Sequence, residues 1–371
     1  MIQKLNTQGK NRPCILLAPL DWGLGHATRC VPIIRILVEK GCDVVIAAEG
    51  KQLNLLQLEF PNLQFIHLQG YRLEYSNNRW KTIVKLISQI PKIIFAAARE
   101  HRWLNQLATQ KRIDAVISDN RYGFFLRKVP SILITHQLNI QTPFGKTGNK
   151  LVNLLNFLAI QSFDSCWVPD LADEDNFGGV LSHPRQLPPV PVEYLGPLTR
   201  FLIPDLPMDP DLILVLISGP EPQRGIFEAK IRKEVEGLSK KVVVVRGLPG
   251  QVDMLPAAGN MIFFNHLPTE ELAELVAKAT FIVARPGYST VMEMLSAGKK
   301  CLFVPTPGQS EQEYLGRYLN KKNYAVNAAQ EEFSLISMLR VAENKDFRKP
   351  PSGDESLKRV VEAFVRSLIN Q

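Results

Sequence analysis

The chain has 371 residues, 45% of them hydrophobic and 22% charged, close to the average of globular domains, which excludes collagen-like, coiled-coil and disordered classes. At roughly 150 residues per domain the length predicts two domains, and the absence of any apolar run near the ~20 residues that span a bilayer, with no apolar signal segment at the start, predicts a cytoplasmic protein. The formal net charge of +8 sits mostly in the first half: residues 1–196 carry 22 basic and 15 acidic groups, and residues 76–150 alone carry 13 against 3.

Short β-branched runs alternate with helical stretches, the pattern of parallel α/β layers. In the first half, strands are expected at residues 15–20, 43–47, 64–68, 115–118, 132–135 and 166–168. The first strand runs into DWGLGHATRC, where Gly23 and Gly25 precede His26 and a helix begins near Thr28. Ligands of parallel sheets bind beyond the carboxyl ends of strands, so a neutral His26 there can act as a general base; a helix-cap or core role suits the same position. Arg79, Lys81, Lys85, Lys92, Arg99 and Arg102 interleave with apolar residues at helical spacing. That stretch is either the solvated face of a surface helix or a segment resting on an anionic membrane.

Asp119 closes the next strand, where it can orient an imidazole or cap a helix, and His136 and Asn139 follow the strand after it. Residues 183–211 hold eight prolines, too many for a helix or inner strand, and are expected to connect the domains; the Asp209-Pro210-Asp211 triplet within them reads as a turn rather than a metal site.

The strand pattern restarts at residues 212–217, 242–245, 261–264, 281–284 and 301–304. The fourth of these leads into RPGYSTVMEMLSAGKKCLFVP, in which Gly287, Ser289 and Thr290 form a turn at a helix N-terminus suited to a phosphate, and Glu293 is placed to accept from a ribose diol or to complete a capping pattern. Loops at 218–225 (SGPEPQRG) and 305–314 (PTPGQSEQEY) end at the same edge, and an amphipathic helix is expected at 355–369. Cys14, Cys30, Cys42, Cys166 and Cys301 are scattered without metal-ligand spacing, as free thiols of a reducing compartment are.

Together these segments resemble the GT-B-fold UDP-sugar glycosyltransferases, most closely the MurG-type enzymes of family 28, over the whole chain. The resemblance implies two Rossmann-like α/β domains facing a cleft: an acceptor domain over 1–196, a Pro-rich linker over 197–211, a UDP-sugar domain over 212–350, and a last segment, 351–371, whose helix returns to the first domain. It implies a donor site at Ser218, Gly219, Phe264, Gly287, Ser289, Thr290, Glu293, Gln312 and Glu313, with Arg224 or Arg285 assisting at the phosphates. It implies His26 and Asp119 as the catalytic pair, and Gly23, Gly25, His136 and Asn139 on the acceptor side. SGPEPQRG departs from the family's G-G-S-Q-G loop, Glu313 replaces its second Gln, and Gln137 and Leu138 alter its H-E-Q-N motif, which argues against the peptidoglycan lipid as acceptor.

The reaction implied is metal-independent and cofactor-free: an inverting transfer of a sugar, an N-acetylhexosamine among the candidates, to a hydroxyl acceptor. The basic stretch at 79–102 makes a lipid-linked acceptor on the membrane's inner face the natural partner. The G-L-G-H-x-x-R wording of Gly23 to Arg29 is also close to UDP-sugar hydrolases of the PseG type, which leaves hydrolysis open, as it does a non-catalytic two-lobed nucleotide-sugar binder. The basic excess carries no recognisable nucleic-acid motif, so nucleic acid is not an expected partner.

Overall fold

The computed structural model describes residues 12–72, 89–142, 145–236, 238–253, 255–351 and 355–370. Two wholly parallel sheets carry the architecture. The first has seven strands: β1 (Cys14–Pro19), β2 (Asp43–Ala48), β3 (Gln64–His67), β4 (Ala115–Asp119), β5 (Ser131–Ile134), β6 (Ser165–Val168) and β7 (Val192–Tyr194), in the order β3-β2-β1-β4-β5-β6-β7. The second has six: β8 (Asp209–Leu216), β9 (Lys241–Val245), β10 (Met261–Phe264), β11 (Ala279–Ala284), β12 (Lys300–Phe303) and β13 (Ala325–Asn327), in the order β10-β9-β8-β11-β12-β13. These are the two α/β units expected from the sequence.

Each sheet is covered on both faces, because its strands are apolar on both sides. In the first, helices α1 (Leu24–Glu39) and α2 (Gly50–Glu59) cover one face, and α3 (Ile90–Gln110) and α4 (Gly145–Ile160) the other. In the second, α6 (Thr269–Lys278), α7 (Tyr288–Ser296) and α8 (Ser310–Lys321) lie against one face, and α5 (Gln223–Val235) and α9 (Leu335–Glu343) against the other. The last helix, α10 (Ser356–Ile369), buries Val360, Val361 and Val365 in the α1 face of the first sheet, and Phe364 meets Trp167 edge-on at 5.3 Å.

Strand order fixes where ligands can sit. The chain leaves β1 toward β2 and β3, then returns to β4 on the other side of β1, so the crevice of the first sheet opens between the carboxyl ends of β1 and β4. The same reversal puts the crevice of the second sheet between β8 and β11.

The Pro-rich stretch behaves differently from expectation at both ends. Val192–Tyr194 pairs with β6 as an edge strand, where prolines are tolerated because one side of the ladder faces no partner. Strand β8 already starts at Asp209 rather than after a turn, although Asp209 Oδ1 accepts from the Asp211 N–H (3.0 Å) and the register against β11 shifts there, so the bend lies inside the strand's first residues.

Candidate functional site

His26 lies in the first turn of α1, directly after β1, and Asp119 is the last residue of β4, paired in register with Pro19 at the end of β1. The two side chains meet in the crevice: His26 Nδ1 is 2.9 Å from Asp119 Oδ2. Arg29, one helical turn beyond His26, joins them. Its Nε donates to Asp119 Oδ1 at 2.7 Å and its Nη2 also donates to that oxygen. Its Nη2 lies 2.9 Å from His26 Nδ1 as well. Asp119 can only accept and Arg29 can only donate, so the two compete for Nδ1; with Asp119 taking the Nδ1–H, His26 Nε2 is left as a lone pair toward the cleft.

The electrostatics support that protonation state. Burial, helped by the Arg29 guanidinium, holds the His26 pKa below the ordinary 6.5, with Asp119 pulling the other way. Burial alone would raise the Asp119 carboxyl, but Arg29 and His26 outweigh it and hold the group below its usual range. A neutral imidazole with a free nitrogen beside an ionised carboxylate is the arrangement of a general base.

The second domain closes on this cluster. Ser289, in the first turn of α7, donates its hydroxyl to the Gly25 carbonyl at 3.0 Å. A Cβ on Gly25 would stand 2.7 Å from Ser289 Oγ, so glycine is what permits the approach. Tyr288 stacks on His136 with ring centroids 3.8 Å apart and donates its hydroxyl to the Pro169 carbonyl at 3.0 Å. His136, two residues beyond β5, reaches Arg29 Nη1 with Nδ1 (3.0 Å) and Glu311 of α8 with Nε2 (3.3 Å), and Gln137 donates to the same Glu311 oxygen. Burial pushes the Glu311 carboxyl up, but His136, Gln137 and Arg29 hold it below its ordinary value.

Of the residues marked by the sequence, His26, Asp119, His136, Gly25 and Ser289 therefore converge. Gly23 is the N-cap of α1 with φ +118°, and its carbonyl accepts from Gln52. Gly287 caps α7, with Thr290 half-buried behind it, and Ser218 and Gly219 lie exposed on the loop after β8. The Phe264 carbonyl accepts from the Arg246 N–H, and Gln312 and Glu313 accept from the Thr306 and Gly308 N–H groups, shaping the 305–310 loop.

Three residues are placed otherwise than expected. Arg224 is paired with Glu221 and Glu228, so its charge is spent inside its own domain. Arg285 is fully buried under β11 and β12, donating to the Val304 and Pro305 carbonyls (2.8 and 2.9 Å) and lying 4.1 Å over the Phe227 ring; burial lowers it to about 10. In this arrangement it clamps the backbone, and its second terminal nitrogen donates to the Gln223 carbonyl and to Gln330. Asn139 is tied to α4 by Asn153. Glu293 is buried, which raises its pKa, and Arg200 from the linker stands 3.4 Å from it. Arg29, Tyr288, Glu311 and Arg200 were not singled out as site residues from the sequence; the only signal was the placement of Arg29 one turn after His26.

Comparison with known proteins matches both halves of the chain to glycosyltransferases. Residues 259–369 match the glycosyltransferase family 28 C-terminal domain, and residues 15–136 match glycosyl transferase family 1. An uncharacterized glycosyltransferase of Methanosarcina acetivorans is 24% identical over 389 aligned positions, covering 96% of this chain and 95% of that protein, and a second from the same organism is 23% identical over 331, covering 81% and 82%. Among solved structures, Arabidopsis thaliana UGT89C1 with UDP superposes with a TM-score of 0.65 at 13% identity, over 96% of this chain and 99% of that one. Acinetobacter baumannii MurG superposes with a TM-score of 0.55 at 15% identity, over 97% and 100%. The chain thus has the two-domain GT-B fold and the marks of a glycosyltransferase: residues 259–369 resemble the family 28 C-terminal domain and residues 15–136 resemble glycosyl transferase family 1.

Proposed function

We propose that the protein transfers a sugar from a UDP-sugar to a hydroxyl acceptor with inversion, His26 removing the acceptor proton. The observation that carries the reading is the His26–Asp119 pair at the first crevice, facing the N-terminus of α7 across the Gly25–Ser289 contact. The diphosphate sits at Gly287, Ser289 and Thr290, where the α7 dipole and free backbone N–H groups take up the charge that grows on the leaving UDP. The acceptor oxygen attacks the anomeric carbon as its proton passes to His26 Nε2 and the bond to UDP breaks. No step is routed through a metal. Donor entry displaces the Ser289–Gly25 hydrogen bond, so the two domains separate to load and close to react.

Glu293 serves the ribose once Arg200 gives way or shares it. The acceptor enters beside α3 and α4, and a membrane-borne acceptor fits the surface there. Arg79, Lys81 and Lys85 lie outside the described residues, but Lys92, Arg99, Arg102, Arg127, Lys128 and Lys150 are exposed, and α4 contains no acidic residue. Leu151, Leu154, Leu155 and Leu158 stand outward on α4, each 54–60% exposed, and Ile94 and Phe95 are exposed on α3. An apolar stripe edged by cations is the dress of an interfacial helix, which supports docking on an anionic cytoplasmic leaflet.

The test is UDP release from a panel of UDP-sugars with and without acceptor alcohols, in EDTA. His26→Ala should lose turnover while keeping UDP binding. Rapid acceptor-free release of sugar would move the reading to hydrolysis, and full turnover by His26→Ala would remove the base.

A further inference from the structure

Three adjacent polar side chains in the first turn of α8 face different ways. Gln312 and Glu313 each lend a side-chain oxygen to the 305–310 loop, accepting from the Thr306 and Gly308 N–H groups at 2.8 and 2.9 Å. Glu311 instead crosses to the first domain, where its Oε2 accepts from His136 Nε2 at 3.3 Å and from the Gln137 amide. Both contacts fall on one oxygen. The other, Oε1, takes no hydrogen bond from the described residues and is not sealed off, the side chain being 20% exposed. A carboxylate pinned by one oxygen keeps the acceptor capacity of the second.

That capacity lies where a transferred sugar has to pass. His136, which holds Glu311, stacks at 3.8 Å on Tyr288, next to the Gly287–Ser289 turn. Its Nδ1 meets Arg29, the partner of Asp119 and His26. Glu311 therefore stands beside both the base and the phosphate end of the cleft. Arg29 gives two hydrogen bonds to Asp119 and is balanced by it, which leaves the charge of Glu311 to face a ligand. His136, Gln137 and Arg29 keep that carboxyl ionised against the effect of burial. The cleft is thus polarised: the N-terminus of α7 suits a diphosphate, whereas Glu311 suits hydrogen-bond donors and repels anions.

We propose that Glu311 selects the donor sugar, Oε1 accepting from a hydroxyl of the transferred ring while the negative charge turns away sugars that carry a carboxylate of their own. The substrate class is then a neutral hexose or N-acetylhexosamine, and uronates are poor donors. This rests on the reading of the cleft as a UDP-sugar site. Because the carboxylate comes from the second domain and its holders from the first, the selection is exerted when the cleft is closed.

The test compares nucleotides that differ only at C6, UDP-glucose with UDP-glucuronate and UDP-galactose with UDP-galacturonate, by calorimetric titration of the full-length protein with UDP alone as reference. The wild type should bind each neutral sugar about tenfold or more tighter than its uronate, the effect of setting like charges together. Glu311→Gln should bring that ratio to within about threefold, and Glu311→Ala, which also removes the acceptor, should weaken the neutral sugars toward the affinity of UDP itself. The affinity for UDP should be the same in all three proteins, which a merely structural role for Glu311 would not leave intact. A wild-type ratio near one, a ratio that neither variant moves, or a loss of UDP affinity in both variants overturns the proposal while the donor site stands. If UDP fails to bind the wild type, the UDP-sugar reading itself falls and the selection with it.

Discussion

Asp119→Asn keeps the shape of the buried group and removes only its charge, and the surroundings dictate how the new amide turns. Arg29 presents two donors to Oδ1, so the amide oxygen must face Arg29 and the NH2 must face His26. His26 Nδ1 can then only accept, its proton moves to Nε2, and the nitrogen toward the cleft becomes a donor. Loss of the correct tautomer in a His–carboxylate pair costs on the order of 10³–10⁴ in kcat, about 4–5.5 kcal/mol of barrier. Removing one partner of a buried ion pair costs about 3–5 kcal/mol of stability, a loss that a domain with 5–15 kcal/mol survives.

The stability difference is itself pH-dependent. Asp119 has a folded pKa below its unfolded one, so its contribution is fully present above the unfolded carboxylate value of about 3.9 and fades as pH falls through the folded value. Urea unfolding of both proteins should therefore show a gap at pH 7 that narrows below about pH 4, and histidine nitrogen spectra should show the His26 proton moved from Nδ1 to Nε2. An Asp119→Asn protein within tenfold of wild-type kcat, with His26 still protonated at Nδ1, would refute the reasoning.

Four further outcomes follow from named contacts. The acid limb of the kcat/KM profile should fall below the ordinary histidine value of 6.5, because burial and Arg29 hold His26 down; Arg29→Met should move that limb upward. Arg285→Met should cost more than about 3 kcal/mol by leaving buried carbonyls unpaired, yet preserve the thermal shift with UDP, since the guanidinium serves the backbone of its own domain. Val361→Ala on α10 should cost about 2 kcal/mol in urea unfolding, two methylenes' worth of transfer plus a cavity under the first sheet. Leu154→Glu with Leu155→Glu should abolish sedimentation with vesicles of anionic lipid while leaving the UDP shift intact; vesicle binding that survives, or none by the wild type, removes the membrane surface.

The sequence marks the sheet strands well because each buried strand is a short β-branched run. It hides β7 and β13, three-residue edge strands too short to show a pattern, the first of them inside the prolines. His26, Asp119 and His136 are legible because each follows or ends a strand, and strand order then brings them to one crevice. Arg29 looks like a surface cation on a helix until Asp119, 90 residues away, is seen to bury it. Tyr288 and Glu311 become visible only when the two domains meet, since periodicity carries no information about contacts between domains. For Arg224 and Arg285 the sequence hides the partners: Glu228 pairs with the first, and the Val304 and Pro305 carbonyls just after β12 take up the second. The claim of Arg200 on Glu293 comes from the linker, whose path no local pattern predicts.

The central claim, a UDP-sugar site at the N-terminus of α7, is tested most directly by thermal unfolding with UDP, ADP and GDP. A ligand at 100 times its dissociation constant adds about 2.7 kcal/mol to stability. Tm should rise with UDP, change little with the purine nucleotides, and lose the rise in Glu293→Ala. No shift with UDP at millimolar concentration, or equal shifts with all three that persist in Glu293→Ala, would contradict it.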